Sequence, residues 1–410
     1  MLSISNFEKL FILILILSWL SFQSCGVNKS TEPQKTSSQN TALDTIRFAT
    51  YNVALFRNKV GKLEEDLKSG MDTQIQNIAA VIQHVRPDVI ALMEFDYDSS
   101  GILLNYFQQN YLSKSQSGGQ PINYTYALSV PSNTGVLSGQ DLNNDEKISL
   151  PEDAFGFGRY EGQYAFALLS KYPFDTAQIR SFQKFIWAEM PDAKKPLNEN
   201  ESPYYSREAW DVFRLSSKNH IDISIQLPSG ELIHTILAHP TPPVFDGPED
   251  RNGLRNFDEI RLLRDYISGA KYLKDDKGKK GGLKAGSSFV IMGDLNADPI
   301  DGDSYPGAID QLLDAPNIHA EIAKGGLIPK SKGGKAHNQK AGDNGDPAFD
   351  TSFFGKRIDY VLPSKDLNVI ASGVFWPAEG EALFDQVKNK NASDHLLVWM
   401  DLVIGGKIEN

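Results

Sequence analysis

The chain has 410 residues, is 40% hydrophobic and carries a formal net charge of −11. That length allows one large domain or two ordinary ones, with a sizeable core. The acidity excludes a protein that grips polyphosphate backbones by bulk charge alone, although a local basic rim or bound cations can invert the field at a cleft.

The first element is an apolar run, Leu10 to Leu17, preceded by Lys9 and followed by Ser18 to Ser24 and then Cys25. It is too short to span a bilayer and fits a signal h-region. Cys25 is the only cysteine, so no intramolecular disulfide can form. Its place just after such a run resembles the lipidated cysteine of bacterial lipoproteins, although Phe22-Gln23-Ser24 departs from the usual Leu-Ala-Gly pattern. The expected organisation is a signal peptide over 1–25 ending at Cys25, a polar flexible tether over 26–45, one domain over 46–405 and a short tail over 406–410. Such a chain is exported as a cell-envelope lipoprotein, at the outer membrane or cell surface, and meets the membrane only through its lipid.

Within the domain, Ile46 to Leu55 alternates and meets Asn52, predicting a strand that ends in a polar residue. Met71 to Val85 carries Ile75, Ile78, Ala79, Ile82 and Val85 at helical spacing, closed by Pro87. Asp88 to Glu94 predicts a buried strand ending in a carboxylate. Further strands are expected at 164–170, 221–227, 232–238, 288–293, 357–362 and 396–403, and an amphipathic helix at 257–267. The Lys/Gly-rich stretches 274–286 and 328–346 predict solvated loops. The pattern is α/β, with stacked sheets covered by helices.

Polar residues recur at the ends of these strands: Asn52, Glu94, His239, the Asp294/Asn296 pair of Gly-Asp-Leu-Asn, and the Asp394/His395 pair of Ser-Asp-His. Strand ends on one edge of a sheet form a shared rim. Oxygen donors dominate the set, which favours Mg²⁺ or Mn²⁺ over Zn²⁺, and the two histidines can donate to a phosphate or exchange a proton. Singly, each Asn or Asp could equally be a turn or cap residue.

The series Asn52, Glu94, His239, Gly-Asp294-Leu-Asn296, Arg-Ile-Asp359-Tyr and Ser-Asp394-His395, in that order, resembles the endonuclease/exonuclease/phosphatase superfamily. The resemblance implies a four-layer α/β sandwich with two central, mostly antiparallel β-sheets flanked by helices. It implies Glu94 as the main metal ligand with Asn52 beside it and Asp394 near the cation. It also implies Asp294 orienting the attacking water, Asn296 holding the transition state, His239 donating to phosphate, and His395 as base or donor oriented by Asp359. Arg214 or Lys218 is expected as a basic phosphate contact, and Glu161 or Gln163 as a support for His239. The implied activity is an exported Mg²⁺-dependent phosphoesterase acting as a monomer on a phosphodiester or phosphomonoester; nucleic acid, lipid and small-molecule substrates all stay open. The alternative is an inactive surface binding protein on the same scaffold.

A separate stretch, Asp141 to Glu152, resembles an EF-hand Ca²⁺ loop, with Asp141, Asn143, Asp145, Lys147 (through its carbonyl), Ser149 and Glu152 at ligand positions. Glu146 stands where glycine is expected. A structural Ca²⁺ is the corresponding expectation.

Overall fold

The computed structural model describes residues 45–336 and 344–403. The signal segment, Cys25, the tether and the tail lie outside the described residues. The strands are β1 (Thr45–Leu55), β2 (Val89–Phe95), β3 (Tyr126–Val130), β4 (Phe166–Ser170), β5 (Arg180–Ser181), β6 (His220–Gln226), β7 (Leu232–Ala238), β8 (Phe289–Asp294), β9 (Asp359–Pro363), β10 (Asn368–Phe375) and β11 (Leu397–Val403). One sheet runs β10–β11–β1–β2–β4–β3 and the other β5–β6–β7–β8–β9. Two pairings are parallel, β1 with β2 and β7 with β8; their other neighbours are antiparallel. β1 and β2 contact β8 across the sandwich, and β1 and β11 contact β9.

Strands β2, β4 and β8, with the edge strand β9, are buried almost end to end, which is why they are apolar runs rather than alternating ones. Strands β3 and β10 carry no such run. Both lie at the edge of their sheet and expose part of their length, so no apolar pattern predicted them.

Helices α1 (Lys62–Ser69), α2 (Thr73–Val85), α3 (Ile102–Phe107), the single turn α4 (Arg207–Trp210) and α5 (Arg251–Ile267) accompany the sheets. In α2 the Asp72 carboxylate caps the first turn by accepting from Ile75 N at 3.0 Å, and Ile75, Ile78, Ile82 and Val85 face the core. The helix expected at 257–267 starts six residues earlier. Its first turns bury Arg255 and Asn256, polar residues that hide the apolar period. The expected loop 328–346 contains a helical turn, Lys332–Ala336, before the residues that are not described. The 274–286 loop is anchored by a buried ion pair, Arg180 Nε to Asp275 Oδ2 at 2.8 Å.

The two parallel pairs decide where chemistry can occur. The C-terminal ends of β1 and β2 share one edge, as do those of β7 and β8, and the antiparallel neighbours β11 and β9 begin there. Asp294 is paired with Asp359 in register. Gly293 is required by the tight approach of β7: a Cβ there would stand 1.9 Å from the Ala238 carbonyl oxygen. Gly293→Ala is expected to cost about 2–3 kcal/mol or more through this overpacking. Urea denaturation would measure it, and an unchanged midpoint would refute the steric reading.

Candidate active site

Six strand ends deliver the polar residues. Asn52 lies near the end of β1, Glu94 near the end of β2, His239 just after β7, Asp294 at the end of β8, and His395 just before β11. Asp359 opens β9. Asn52, His239, Asp294, Asp359 and His395 are all buried. Glu94 and Asn296 adopt left-handed backbone conformations, φ 57° and 52°, which non-glycine residues hold only where the surroundings over-determine them.

The Asp294 carboxylate is the meeting point. Its Oδ2 accepts from Asn52 Nδ2 at 3.1 Å, lies 3.5 Å from His239 Nε2 and 3.7 Å from His395 Nε2. Its Oδ1 accepts from Asn296 N at 3.0 Å, while Asn296 Nδ2 donates to Pro240 O at 3.1 Å. The Ser-Asp-His segment is pinned to β1, because Ser393 Oγ donates to Asn52 O at 2.7 Å and accepts from His395 N at 3.2 Å.

The two histidines differ in their surroundings. His395 Nδ1 donates to Asp359 Oδ2 at 2.8 Å. Burial opposes its charge, yet Asp359, Asp294 and Asp394 outweigh burial and hold the imidazolium up to about 10. Asp359 in turn is pushed up to about 6 by burial, with His395 pulling the other way. Thr351, not foreseen from the sequence, completes this pair: its Oγ1 donates to Asp359 Oδ2 at 2.8 Å and accepts from Asp359 N at 3.0 Å. His239 is held well below the usual imidazole range, by burial first and then by Lys218 and His395. Its Nδ1 is buried without a hydrogen-bond partner among the described residues.

That orphaned nitrogen corrects one expectation. Neither Glu161 nor Gln163 supports His239. Gln163 Nε2 donates to Arg57 O at 2.6 Å and its Oε1 accepts from Arg159 N at 2.7 Å; Glu161 is exposed. The Tyr-rich segment braces the loop after β2 instead, with Tyr160 Oη donating to Asp96 Oδ2 at 2.6 Å.

The two basic candidates also separate. Arg214 donates to Asn133 Oδ1 at 2.6 Å and lies over the Phe155 ring at 4.2 Å, so its guanidinium is engaged outside the cluster. Lys218 is buried, and burial pulls it below the usual lysine range, with Glu259, Glu94 and Asp294 pulling back. Lys218 therefore belongs to the field of the site.

Glu94, partly open to solvent, is pushed up to about 7 by burial first, with His395 and Lys218 lowering it and Asp294 and Asp394 raising it. Crowded carboxylates with an amide oxygen nearby are a hard-cation donor set. Asp294, Asp359 and His395 also form a group that could hold a metal, with ligand atoms within 4.8 Å of one another. In this group His395 Nδ1 is engaged by Asp359 Oδ2 at 2.8 Å, and its Nε2 lies 3.7 Å from Asp294 Oδ2.

The model of the Endonuclease/Exonuclease/phosphatase family matches residues 49–395. The chain belongs to this family. As a phosphoesterase superfamily it comprises nucleases and phosphatases, and the two mixed sheets with flanking helices are its α/β sandwich. Similar solved structures include an endonuclease/exonuclease/phosphatase from Beutenbergia cavernae at 17% identity, covering 88% of this chain and 72% of that one, with a TM-score of 0.47. A family protein from Bacteroides thetaiotaomicron is 14% identical over 88% of this chain and 96% of its own, with a TM-score of 0.46. The mannosyl-6-phosphatase Bt3783 of that organism is 14% identical over 87% and 99%, with a TM-score of 0.44. No curated protein matches the chain. At these identities no substrate transfers from them.

The Asp141–Glu152 stretch lies in a loop with no regular element. The Asp141 carboxylate accepts from Asp145 N at 3.2 Å and Glu146 N at 2.9 Å. Glu146 takes the left-handed conformation, φ 65°, that glycine usually supplies. Asp153, not among the expected ligands, is buried and accepts from Leu142 N at 2.7 Å and Ser149 N at 2.8 Å.

The His395–Asp359 pair yields a measurable consequence. A raised histidine stabilises the fold fully below its unfolded value near 6.5 and loses that contribution as pH climbs through about 10. In Asp359→Asn the His395 ring should titrate at lower pH by proton NMR, and this alkaline loss of stability should move down with it. An unshifted ring would disprove the pairing.

Proposed function

We propose that the chain is an exported, metal-dependent phosphoesterase that hydrolyses a phosphodiester or phosphomonoester by in-line attack of water. The observation that carries this reading is the single buried carboxylate, Asp294, facing His239 and His395 with Asp359 behind His395. Glu94, with Asn52 and Asp394, would hold Mg²⁺ or Mn²⁺, which supplies positive charge to the phosphoryl oxygens.

The chain's own groups do the rest. Asp294 orients the water toward phosphorus and takes up the proton that the water loses as the new P–O bond forms. His395, kept protonated by Asp359, donates its Nε2 proton toward the phosphoryl oxygens or the leaving group. His239, kept neutral by its surroundings, offers a hydrogen bond without adding charge. Lys218 and the Asn296 amide face the growing negative charge, where preorganised donors act most strongly. Burial excludes bulk water from these groups and strengthens each contact.

The loop after His239, Pro-rich through Pro243, projects Phe245, 88% exposed. It forms a stiff wall carrying an aromatic side chain, suited to a defined substrate rather than an open duplex, and the net charge of −11 agrees with that preference. Among the described residues no helix is long and apolar enough to cross a membrane; membrane attachment in this reading is through lipid on Cys25.

A panel of plasmid DNA, RNA, a bis-aryl phosphodiester, a phosphomonoester and sphingomyelin, each with Mg²⁺ or Mn²⁺ and with EDTA, tests the activity. Hydrolysis should vanish with EDTA and fall about 10²–10⁴-fold in His395→Ala and in Glu94→Ala. Metal-dependent turnover that survives both changes would place the centre elsewhere. For the anchor, Cys25→Ser should move the protein from the membrane to the soluble envelope fraction, and an unchanged distribution would remove the lipid from the account.

A further inference from the structure

The mechanism above leaves the inward face of α5 unused, and that face is polar. Arg255, Asn256 and Glu259 are all buried, and the i to i+3 and i to i+4 spacings set them side by side on the helix. None of their hydrogen bonds ends on another side chain of the cleft. They end on the backbone of the loops that carry it.

Glu259 Oε1 accepts from Ser217 N at 2.6 Å, directly before Lys218. Its Oε2 accepts from Thr241 N at 2.6 Å, two residues after His239. Asn256 Nδ2 donates to Thr241 O at 2.9 Å and to Leu295 O at 3.0 Å, between Asp294 and Asn296. Arg255 donates to Leu215 O at 2.8 Å and Arg214 O at 2.9 Å. One helix face thus ties together the segments that bear Lys218, His239 and the Asp294/Asn296 pair, although they leave three different parts of the second sheet.

A buried ionised carboxylate is costly in a core, and an apolar residue of similar size often serves stability as well or better. Here both oxygens are used on backbone N–H groups in short charge-assisted bonds, one of them to the residue directly before Lys218. The groups acting on Lys218 are Glu259, Glu94 and Asp294, which favour its ammonium form, and Arg255, which opposes it; Lys218 in turn acts on His239.

We propose that Glu259 is a positioning residue of the active site: it sets the backbone that carries Lys218 and His239 and balances the Lys218 ammonium. For turnover this rests on the phosphoesterase reading; for the placement of Lys218 it does not.

Glu259→Gln is the informative change, because an amide of the same shape cannot accept from both N–H groups and carries no charge. With Mg²⁺ and a bis-aryl phosphodiester, kcat should fall on the order of 10–100-fold, with KM moving far less and with native melting and circular dichroism. By ¹³C NMR of labelled lysine, Lys218 should release its proton at lower pH than in the native chain. Glu259→Asp keeps the charge but shortens the reach: it should restore most of the Lys218 titration while kcat stays low. It also serves if Glu259→Gln does not fold, since native kcat in Glu259→Asp would equally sink the backbone role. Native kcat together with a native Lys218 titration in Glu259→Gln overturns the proposal. If the native chain hydrolyses none of the phosphoesters, the phosphoesterase reading fails, and the Lys218 titration by itself decides the role of Glu259.

Discussion

A carboxylate buried between two sheets must be surrounded by donors or it will not remain there. Asp294 is that group. The donors gathered about it come from both halves of the sandwich: Asn52 from β1 in one sheet, His239 from the end of β7 in the other, and His395 from the approach to β11. The contact between the sheets and the constellation of the cleft are therefore the same set of interactions, seen once as packing and once as chemistry.

The two parallel strand pairs make that meeting feasible. Antiparallel neighbours alone would scatter chain directions along an edge, whereas β1 with β2 and β7 with β8 bring four C-terminal ends to one rim. Local strain follows. Glu94, one residue before the end of β2, and Asn296, two residues past the end of β8, hold left-handed backbone angles, and Gly293 admits the close passage of Ala238. Backbone held in such conformations by dense surroundings is backbone whose side chains have little freedom, as a preorganised site requires.

Proton placement is divided by environment rather than by residue type. Both histidines are buried, and burial alone would neutralise both. His395 keeps its proton because Asp359, Asp294 and Asp394 surround it, while His239 faces Lys218 and His395 and loses its own. One imidazolium donor and one neutral imidazole then flank the same carboxylate. Thr351 and Glu259 carry the supporting load: one bonds Asp359, the other the backbone beside Lys218 and His239.

Much of this was legible in the residues. The apolar runs announced β1, β2, β4, β6, β7, β8, β9 and β11 to within a residue or two at most ends, because strands buried on both faces need unbroken apolar side chains. The polar residues closing those runs marked the cleft, and their order along the chain identified the family. Tertiary structure decided what pattern cannot encode. The edge strands β3 and β10 owe their place to pairing rather than to an apolar period, and the start of α5 was hidden because its buried side chains are polar. Which base stands in the site was likewise a matter of three dimensions: Arg214 is turned to Asn133 and Phe155, and buried Lys218 is turned to Pro240 O, directly after His239. The sequence by itself determined the family, the strand frame and which polar residues stand at the strand ends, since these depend on local composition and order. The protonation of each histidine, the partner of each carboxylate and the role of Glu259 depend on neighbours tens to hundreds of residues away, and only folding brings those together.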